Sequence, residues 1–501
     1  MALKDIDTFI IVILENRSFD HALGYLSLAQ ANPPIALEGL RDDPAWRDAQ
    51  ANVYDGNRFP LHEIPATVQT IDDPPHEEKT IDLQINTPAA NKMGGFVASY
   101  MTRQPAPSDP KVVMGYYTQK AVPVFDFFAR NFAVCDHWFS ALPTGTQANR
   151  LMAMSGESSI VDNAPVFLPD QDLVYDWLTD HNVPWCAYQY GDFFPFFTLM
   201  KKWSAEIATS LALSRLGGRG RFRLYTKFRG HWLANDPMPS VIFIEPEYTD
   251  GPHASPNDDH PPTGIAGGQA FLADIYNTLI ANTSRWQKTM MIVTYDEHGG
   301  FFDHVAPLPI PATVAGFQFK TTGVRVPAFV VSPQVAPGSV FSDGLDHTSL
   351  LQLLADRFNP AQQYSPVVGA RQRQLKPLAT ILKPVPAAPT AAPTLPERLV
   401  AALAPVAAAA APSAQMVRAP GANATALAFR NVAQMMIEAN PELVRQAGWG
   451  QLLAQTEPAA ADAHVAPTAP ITAAPVAPVQ DVPPASRAKK PARRARRKPA
   501  S

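Results

Sequence analysis

The chain has 501 residues, 46% of them hydrophobic, enough for a large buried core and, by length, for more than one domain. Its formal charge of −4 is uneven: residues 487–501 hold eight Lys/Arg and no acid, leaving 33 of the 41 basic residues against all 45 acidic ones elsewhere. An acidic body is a poor nucleic-acid binder on net charge, and no apolar run approaches the roughly 18 residues that span a bilayer. The N-terminal stretch "MALKDIDTF" lacks the basic-then-apolar pattern of a signal peptide. The expected location is the cytoplasm, or the periplasm or exterior if an export signal is missing from the start. Cys135 and Cys186 read as two buried free thiols.

In chain order, the first apolar run, Thr8–Leu14, reads as a strand. Further strands are expected at 133–135, 183–190, 241–244, 290–295 and 324–331, with helices at 123–131, 267–281 and 348–357. Nearly continuous apolar strands alternating with helices predict an α/β fold with a large, mostly parallel central sheet flanked by helices. The catalytic domain is expected to span 1–382. Beyond it, 18 of the 51 prolines fall in 384–501 among Ala-rich runs. Such density predicts an extended linker at 383–423, a short helical element at 424–455 and a largely disordered tail at 456–501.

Two strand ends carry the candidate chemistry. Thr8–Leu14 runs straight into Glu15 and Asn16, and 290–295 into Asp296 and Glu297, with Gly299 and Gly300 free to turn the chain. Ligands bind beyond the carboxyl ends of parallel strands, and this oxygen-rich set suits a divalent cation. The bland alternative is helix capping or pairing with Arg17. Six of twelve histidines directly follow Asp: His21, His137, His181, His260, His304 and His347. His137 and His181 read as structural, whereas His260 and His304, in Pro- or Gly-bounded loops, are candidates to contact an anion or leaving group. "LPTGTQANR" (142–150) offers a hydroxyl, Thr144 or Thr146, at a tight turn before a helix. Aromatic residues of "YQYGDFFPFF" (188–197) are expected to line an apolar lipid slot, with ordinary core packing as the alternative. The basic end, "RAKKPARRARRKPAS", suits an anionic membrane or nucleic acid.

Six stretches in order, "ENRSFDHALG" (15–24), "DDPPH" (72–76), "CDHWFSALPTGTQANR" (135–150), "DDHPPTG" (258–264), "YDEHGGFFDHV" (295–305) and "GLDHTSLLQLLADRF" (344–358), resemble the bacterial phosphoesterase family. That family includes non-haemolytic phospholipases C and a related acid phosphatase, within the alkaline-phosphatase-like superfamily. The resemblance implies that Glu15, Asn16, Thr146, Asp296 and Glu297 ligate one divalent metal ion (Mg, Mn, Ca or Zn). It selects Thr146 over Thr144 as the nucleophile that forms a phospho-enzyme. His76, His260 and His304 would bind phosphoryl oxygens or protonate the leaving group, and Arg17 and His347 would contact substrate. The implied activity is hydrolysis of a phosphoric ester, of phospholipase C type with phospholipid as substrate. Alternatives are an acid phosphatase acting on soluble monoesters, and a non-catalytic scaffold with a polyanion-binding tail. The chain departs from many relatives in lacking a twin-arginine signal and the β-rich domains that follow the catalytic domain of larger phospholipases C.

Overall fold

The computed structural model describes residues 3–68, 70–85, 93–164, 167–191, 195–248, 256–382 and 391–408, and Ala428, Phe429, Asn431, Val432, Met435, Glu438 and Pro441. Eight strands form the central sheet: β1 (Thr8–Leu14), β2 (Ala133–Cys135), β3 (Trp185–Gln189), β4 (Phe222–Leu224), β5 (Val241–Glu245), β6 (Thr289–Tyr295), β7 (Ala328–Val331) and β8 (Ser339–Phe341). Their order is β8-β2-β7-β6-β1-β5-β3-β4. β7 runs antiparallel to both its neighbours, and every other pairing is parallel. This is the predicted α/β architecture.

β1 (TFIIVIL) and β6 (TMMIVTY) are buried at all seven positions. Strands read as unbroken apolar runs when both faces of a sheet are covered. The covering helices fall into two groups. α2 (Pro123–Asn131) packs on α5 (Ala266–Ile280), and α3 (Thr146–Ser155) packs on α6 (Thr348–Phe358). A further helix, α4 (Lys201–Arg215), packs against the edge strand β4. Both cysteines are buried and free.

The register of β1 on β6 positions the site. Thr8 pairs with Thr289 and Leu14 with Tyr295. The next residues, Glu15 and Asn16 on one strand and Asp296 and Glu297 on the other, therefore leave the sheet side by side.

Packing does not stop at residue 382, where the composition changes. The segment expected to be an extended linker contains a helix, α7 (Glu397–Ala408), that packs on α5. Leu395 and Leu403 are buried, and the Tyr276 hydroxyl donates to the Pro393 carbonyl. The physical reason is local: "ERLVAALA" is rich in Ala and Leu, the best helix formers, and offers leucines to a neighbouring helix. Ala428, Phe429 and Val432, from the predicted helical element, are helical and buried on the same compact unit. The stretch expected to be a disordered tail, 456–501, lies outside the described residues.

A chain cut after Leu382 should therefore be less stable than the full chain by about 3 kcal/mol or more, because Leu395, Leu403 and Phe429 lose their burial. Denaturant melts of the two forms measure this.

Candidate active site

Asn16 follows β1 in the left-handed region, with φ +63°, a conformation Asn tolerates better than most residues. Its backbone N–H donates to Asp296 Oδ1 at 3.3 Å, which ties the two strand ends together. On the β6 side, Asp296 Oδ1 also accepts from the Glu297 N–H (2.7 Å), and Glu297 Oε2 accepts from the Gly299 N–H (2.7 Å). Gly299 has φ +64°, and a Cβ there would lie 2.2 Å from the Asn16 carbonyl oxygen. The turn can approach β1 this closely only as glycine.

Thr146 is the first residue of α3. The preceding turn is knotted by Asn149, whose side chain accepts from the Leu142 N–H (2.9 Å) and donates to the Thr144 carbonyl (2.7 Å). The two hydroxyls of the turn part company. Thr144 Oγ1 is engaged by the Val161 carbonyl (2.7 Å) and Asp162 (2.6 Å), whereas Thr146 Oγ1 faces Asn16 Oδ1 at 3.5 Å. The geometry thus brings Thr146, not Thr144, to the strand ends.

One helical turn later, Arg150 reaches the same point. Its Nε donates to Asp296 Oδ2 (3.1 Å), and Nη2 to Glu15 Oε1 and the Leu14 carbonyl, both at 3.3 Å. The planar guanidinium lies against the rings of Phe196 (5.2 Å) and Tyr248 (5.4 Å), and Nη1 donates to the Tyr248 hydroxyl. Arg150 was not assigned from sequence. The signal was its spacing of four from Thr146, which places both on one helix face.

Glu15, Asp296 and Glu297 are all buried. Burial and the neighbouring Asp296 push Glu297 up to about 8, although His76 pulls it down, and burial raises Asp296. Among the described residues Glu297 Oε1 has no hydrogen-bond partner, and it lies 3.9 Å from His76 Nε2. The carboxylate, amide and hydroxyl oxygens at the strand ends are the donor type that suits a hard divalent cation, while the described His, Asp and Glu atoms that converge within 4.8 Å of one another are those of Asp73, His76 and His260 and of Asp20, Asp303 and His304. His76 donates from Nδ1 to the Pro74 carbonyl (2.7 Å), so its Nε2 faces the Asn16 amide (3.1 Å). Despite burial, Glu297 and Asp73 raise this imidazole to about 10, while an Nε2 that accepts from the Asn16 amide belongs to the neutral ring. His260 lies edge to face with it, centroids 5.9 Å apart, and Asp73 joins both within 4.8 Å. Asp73 was present in the quoted "DDPPH" stretch but had no assigned role.

Three expected site residues stand elsewhere. Among the described residues, Arg17 does not pair with the strand-end acids. Its guanidinium donates to the Asp259 and Thr263 carbonyls (both 2.9 Å) and meets His21 (3.1 Å), so it fastens the loop that carries His260. His347 accepts from the Trp138 indole (3.2 Å) and donates to the Asp296 carbonyl (2.6 Å). Burial pushes it down to about 4, and the neutral ring holds the Asp296 carbonyl. His304 bonds Asp20 (2.6 Å) and Glu38 (3.0 Å), beside an Arg325 that bridges Asp20 and Asp303. Both its nitrogens are committed there, and it is not brought to Thr146. Of the described rings of the expected lipid slot, Tyr188, Phe196 and Phe197 pack in the core and Tyr190 lies partly buried against it.

The phosphoesterase family profile matches residues 6–360. The chain belongs to the phosphoesterase family. Non-specific phospholipase C1 of Arabidopsis thaliana is 32% identical over 358 residues, covering 68% of this chain and 62% of the relative. Phospholipase C A of Mycobacterium tuberculosis is 29% identical over 402 residues, 71% of this chain and 73% of that one. Among solved structures, an alkaline phosphatase superfamily protein from Vibrio parahaemolyticus aligns over 47% of this chain and 60% of its own, at 13% identity and a TM-score of 0.30. The chain spans about 62% of the length of the Arabidopsis relative.

Replacing Gly299 with Ala should cost more than about 1 kcal/mol, because the new methyl strains φ and strikes the Asn16 carbonyl. A denaturant melt checks it, and an unchanged midpoint would contradict the close approach.

The His304 cluster predicts a pH dependence of stability. Burial opposes its charge, but Asp20 prevails and raises it to about 9 from an ordinary 6.5, with Arg325 opposing and Asp303 and Glu38 also facing the ring. A raised folded value means the stabilisation is complete below pH 6.5 and lost as pH rises through 9. The loss should amount to at most about 3 kcal/mol. Melts of the parent and His304→Gln across this window should differ in slope. Asp303, raised to about 6, titrates below it.

Proposed function

We propose that the protein hydrolyses phosphoric diesters by a double displacement through Thr146, with a phospholipid or its soluble headgroup ester as substrate. The observation that carries the reading is the approach of the Thr146 hydroxyl, at the start of α3, to the Asn16 amide oxygen at 3.5 Å, at the strand ends that also bear the buried Glu15, Asp296 and Glu297. The phospholipase C names of the relatives from two kingdoms support the substrate class.

Glu15, Asn16, Asp296 and Glu297, with the Thr146 hydroxyl, would hold one divalent cation. Bound there, it would lower the pKa of the hydroxyl and offset the charge of the transferring phosphoryl group. The all-oxygen donors favour Mg²⁺, Mn²⁺ or Ca²⁺ over Zn²⁺. In the first step, Thr146 Oγ, its proton already released to solvent, forms a bond to phosphorus as the bond from phosphorus to the ester oxygen breaks in line. His76 and His260 flank the group, donating to its oxygens, and one of them gives its proton to the departing alcohol. In the second step water attacks the phosphothreonine, the P–Oγ bond breaks, and the proton returns through the same histidines. Asn149 fixes the nucleophile's turn throughout. His347 and Arg150 hold Asp296 in place.

The test is hydrolysis of p-nitrophenylphosphorylcholine by the full chain after EDTA treatment, with Mg²⁺, Mn²⁺, Ca²⁺ or Zn²⁺ restored singly. Metal-dependent release is expected, followed by turnover of phosphatidylcholine. Cleavage of p-nitrophenyl phosphate instead would make the protein a monoesterase of acid-phosphatase type. Thr146→Ala should reduce turnover by 1,000-fold or more, roughly the loss of a catalytic nucleophile, with an unchanged melt. Full activity in that variant would exclude Thr146 as the nucleophile.

A further inference from the structure

Far along the chain from the strand ends, one ring returns to them. Phe429 is 1% exposed, flanked by Ala428 and Val432, both fully buried. Its ring stacks on Tyr248, with centroids 5.6 Å apart and planes at 17°, and meets Phe196 edge-on at 5.9 Å and 87°. These are the same two rings that lie against the Arg150 guanidinium. Tyr248 is itself pinned from the other end, its hydroxyl donating to Glu245 Oε2 at 3.0 Å. Glu245 also accepts from the Phe196 N–H at 2.6 Å. Phe429 thus closes a three-ring group whose inner surface is the guanidinium that holds Glu15 and Asp296.

We infer that Phe429 is a positioning residue of the catalytic centre: it presses Tyr248 and Phe196 onto Arg150 and so fixes the two carboxylates that Arg150 bonds. The inference rests on the reading of Glu15 and Asp296 as cation ligands. Its physical basis is that Arg150 can hold two carboxylates at once only in one plane. Phe196 and Tyr248 stand 6.0 Å apart at 71° to each other, so the two rings back the guanidinium as a corner, and a planar cation held against such a corner keeps its plane. A segment after the Ala/Pro-rich stretch is then part of the active site, and not an appendage to it.

The experiment uses the full chain and reads Mn²⁺ binding by the electron paramagnetic resonance signal of free Mn²⁺, beside kcat and KM on p-nitrophenylphosphorylcholine and a thermal melt. Phe429→Ala should weaken Mn²⁺ binding about tenfold, as loss of a residue that orients a ligand does, and lower kcat with KM nearly unchanged. Phe429→Tyr, which keeps the ring, should restore both. Val432→Ala, from the same buried segment, should lower the melting temperature without changing Mn²⁺ affinity. If Phe429→Ala does not fold, Phe429→Leu takes its place, with a smaller weakening expected in the same direction. No Mn²⁺ binding by the parent chain would overturn the cation reading itself. Mn²⁺ binding by the parent, with equal affinity and kcat in the Phe429 variants, would overturn the inference alone. So would a Val432→Ala variant that weakens Mn²⁺ as much as Phe429→Ala does.

Discussion

Everything in the catalytic half of the molecule depends on one act of strand pairing. β1 and β6 run parallel and in register, so that Leu14 and Tyr295 end opposite each other and the next residues on both are acids or amides. Neither strand could do this if its apolar run were shorter or its partner slipped by one residue. A slip would turn Asp296 to the other face and leave a carboxylate among the hydrophobic side chains of a covering helix. The apolar burial of fourteen strand residues therefore fixes the placement of charges that, by themselves, would repel one another.

That repulsion explains the surrounding architecture. Glu15, Asp296 and Glu297 lie inside the protein, where water cannot separate them. Arg150 answers two of them, and backbone N–H groups of Asn16, Glu297 and Gly299 answer the rest of Asp296 and one oxygen of Glu297. The remaining oxygen of Glu297 is the place where the site is incomplete by its own chemistry. A buried site with excess negative charge is costly for folding, and such local conflict is expected where chemistry is performed. A separate buried network, Asp20–His304 with Asp303–Arg325, settles its charges by complete pairing. The contrast between a satisfied cluster and an unsatisfied one distinguishes scaffold from candidate site better than residue type does.

Much of this was legible in the sequence because both signals are local. An unbroken β-branched run followed at once by an acid names a buried strand and its end, and β1, β2 and α2 fall where periodicity puts them. The edge strands β4 and β8 have three residues each, too few for any period to register. α4, with Ser, Thr and Ala spread through it, has no sharp apolar stripe. The histidines show where reading fails. An Asp before a His suggests a pair, and His137 does bond Asp136, but His304 turns to Asp20 and His347 to the backbone of Asp296. Which partner a side chain meets is decided by the approach of distant segments, and no spacing along the chain encodes it. Arg17 was misjudged for the same reason: its acceptors are the carbonyls of a loop more than 240 residues away.

The separation between the two strand ends has a consequence for the order in which the protein is made. The hydrogen bond from Asn16 to Asp296 joins residues 280 apart, and the Tyr248–Phe429 stack needs a segment later still. During synthesis the first strand leaves the ribosome with its acids long before either partner exists. Non-local contacts of this kind form late and slowly, because the intervening chain must first be closed into a loop. A growing chain therefore carries the pieces of the site through most of its translation, and they can come together only after translation has passed Asp296.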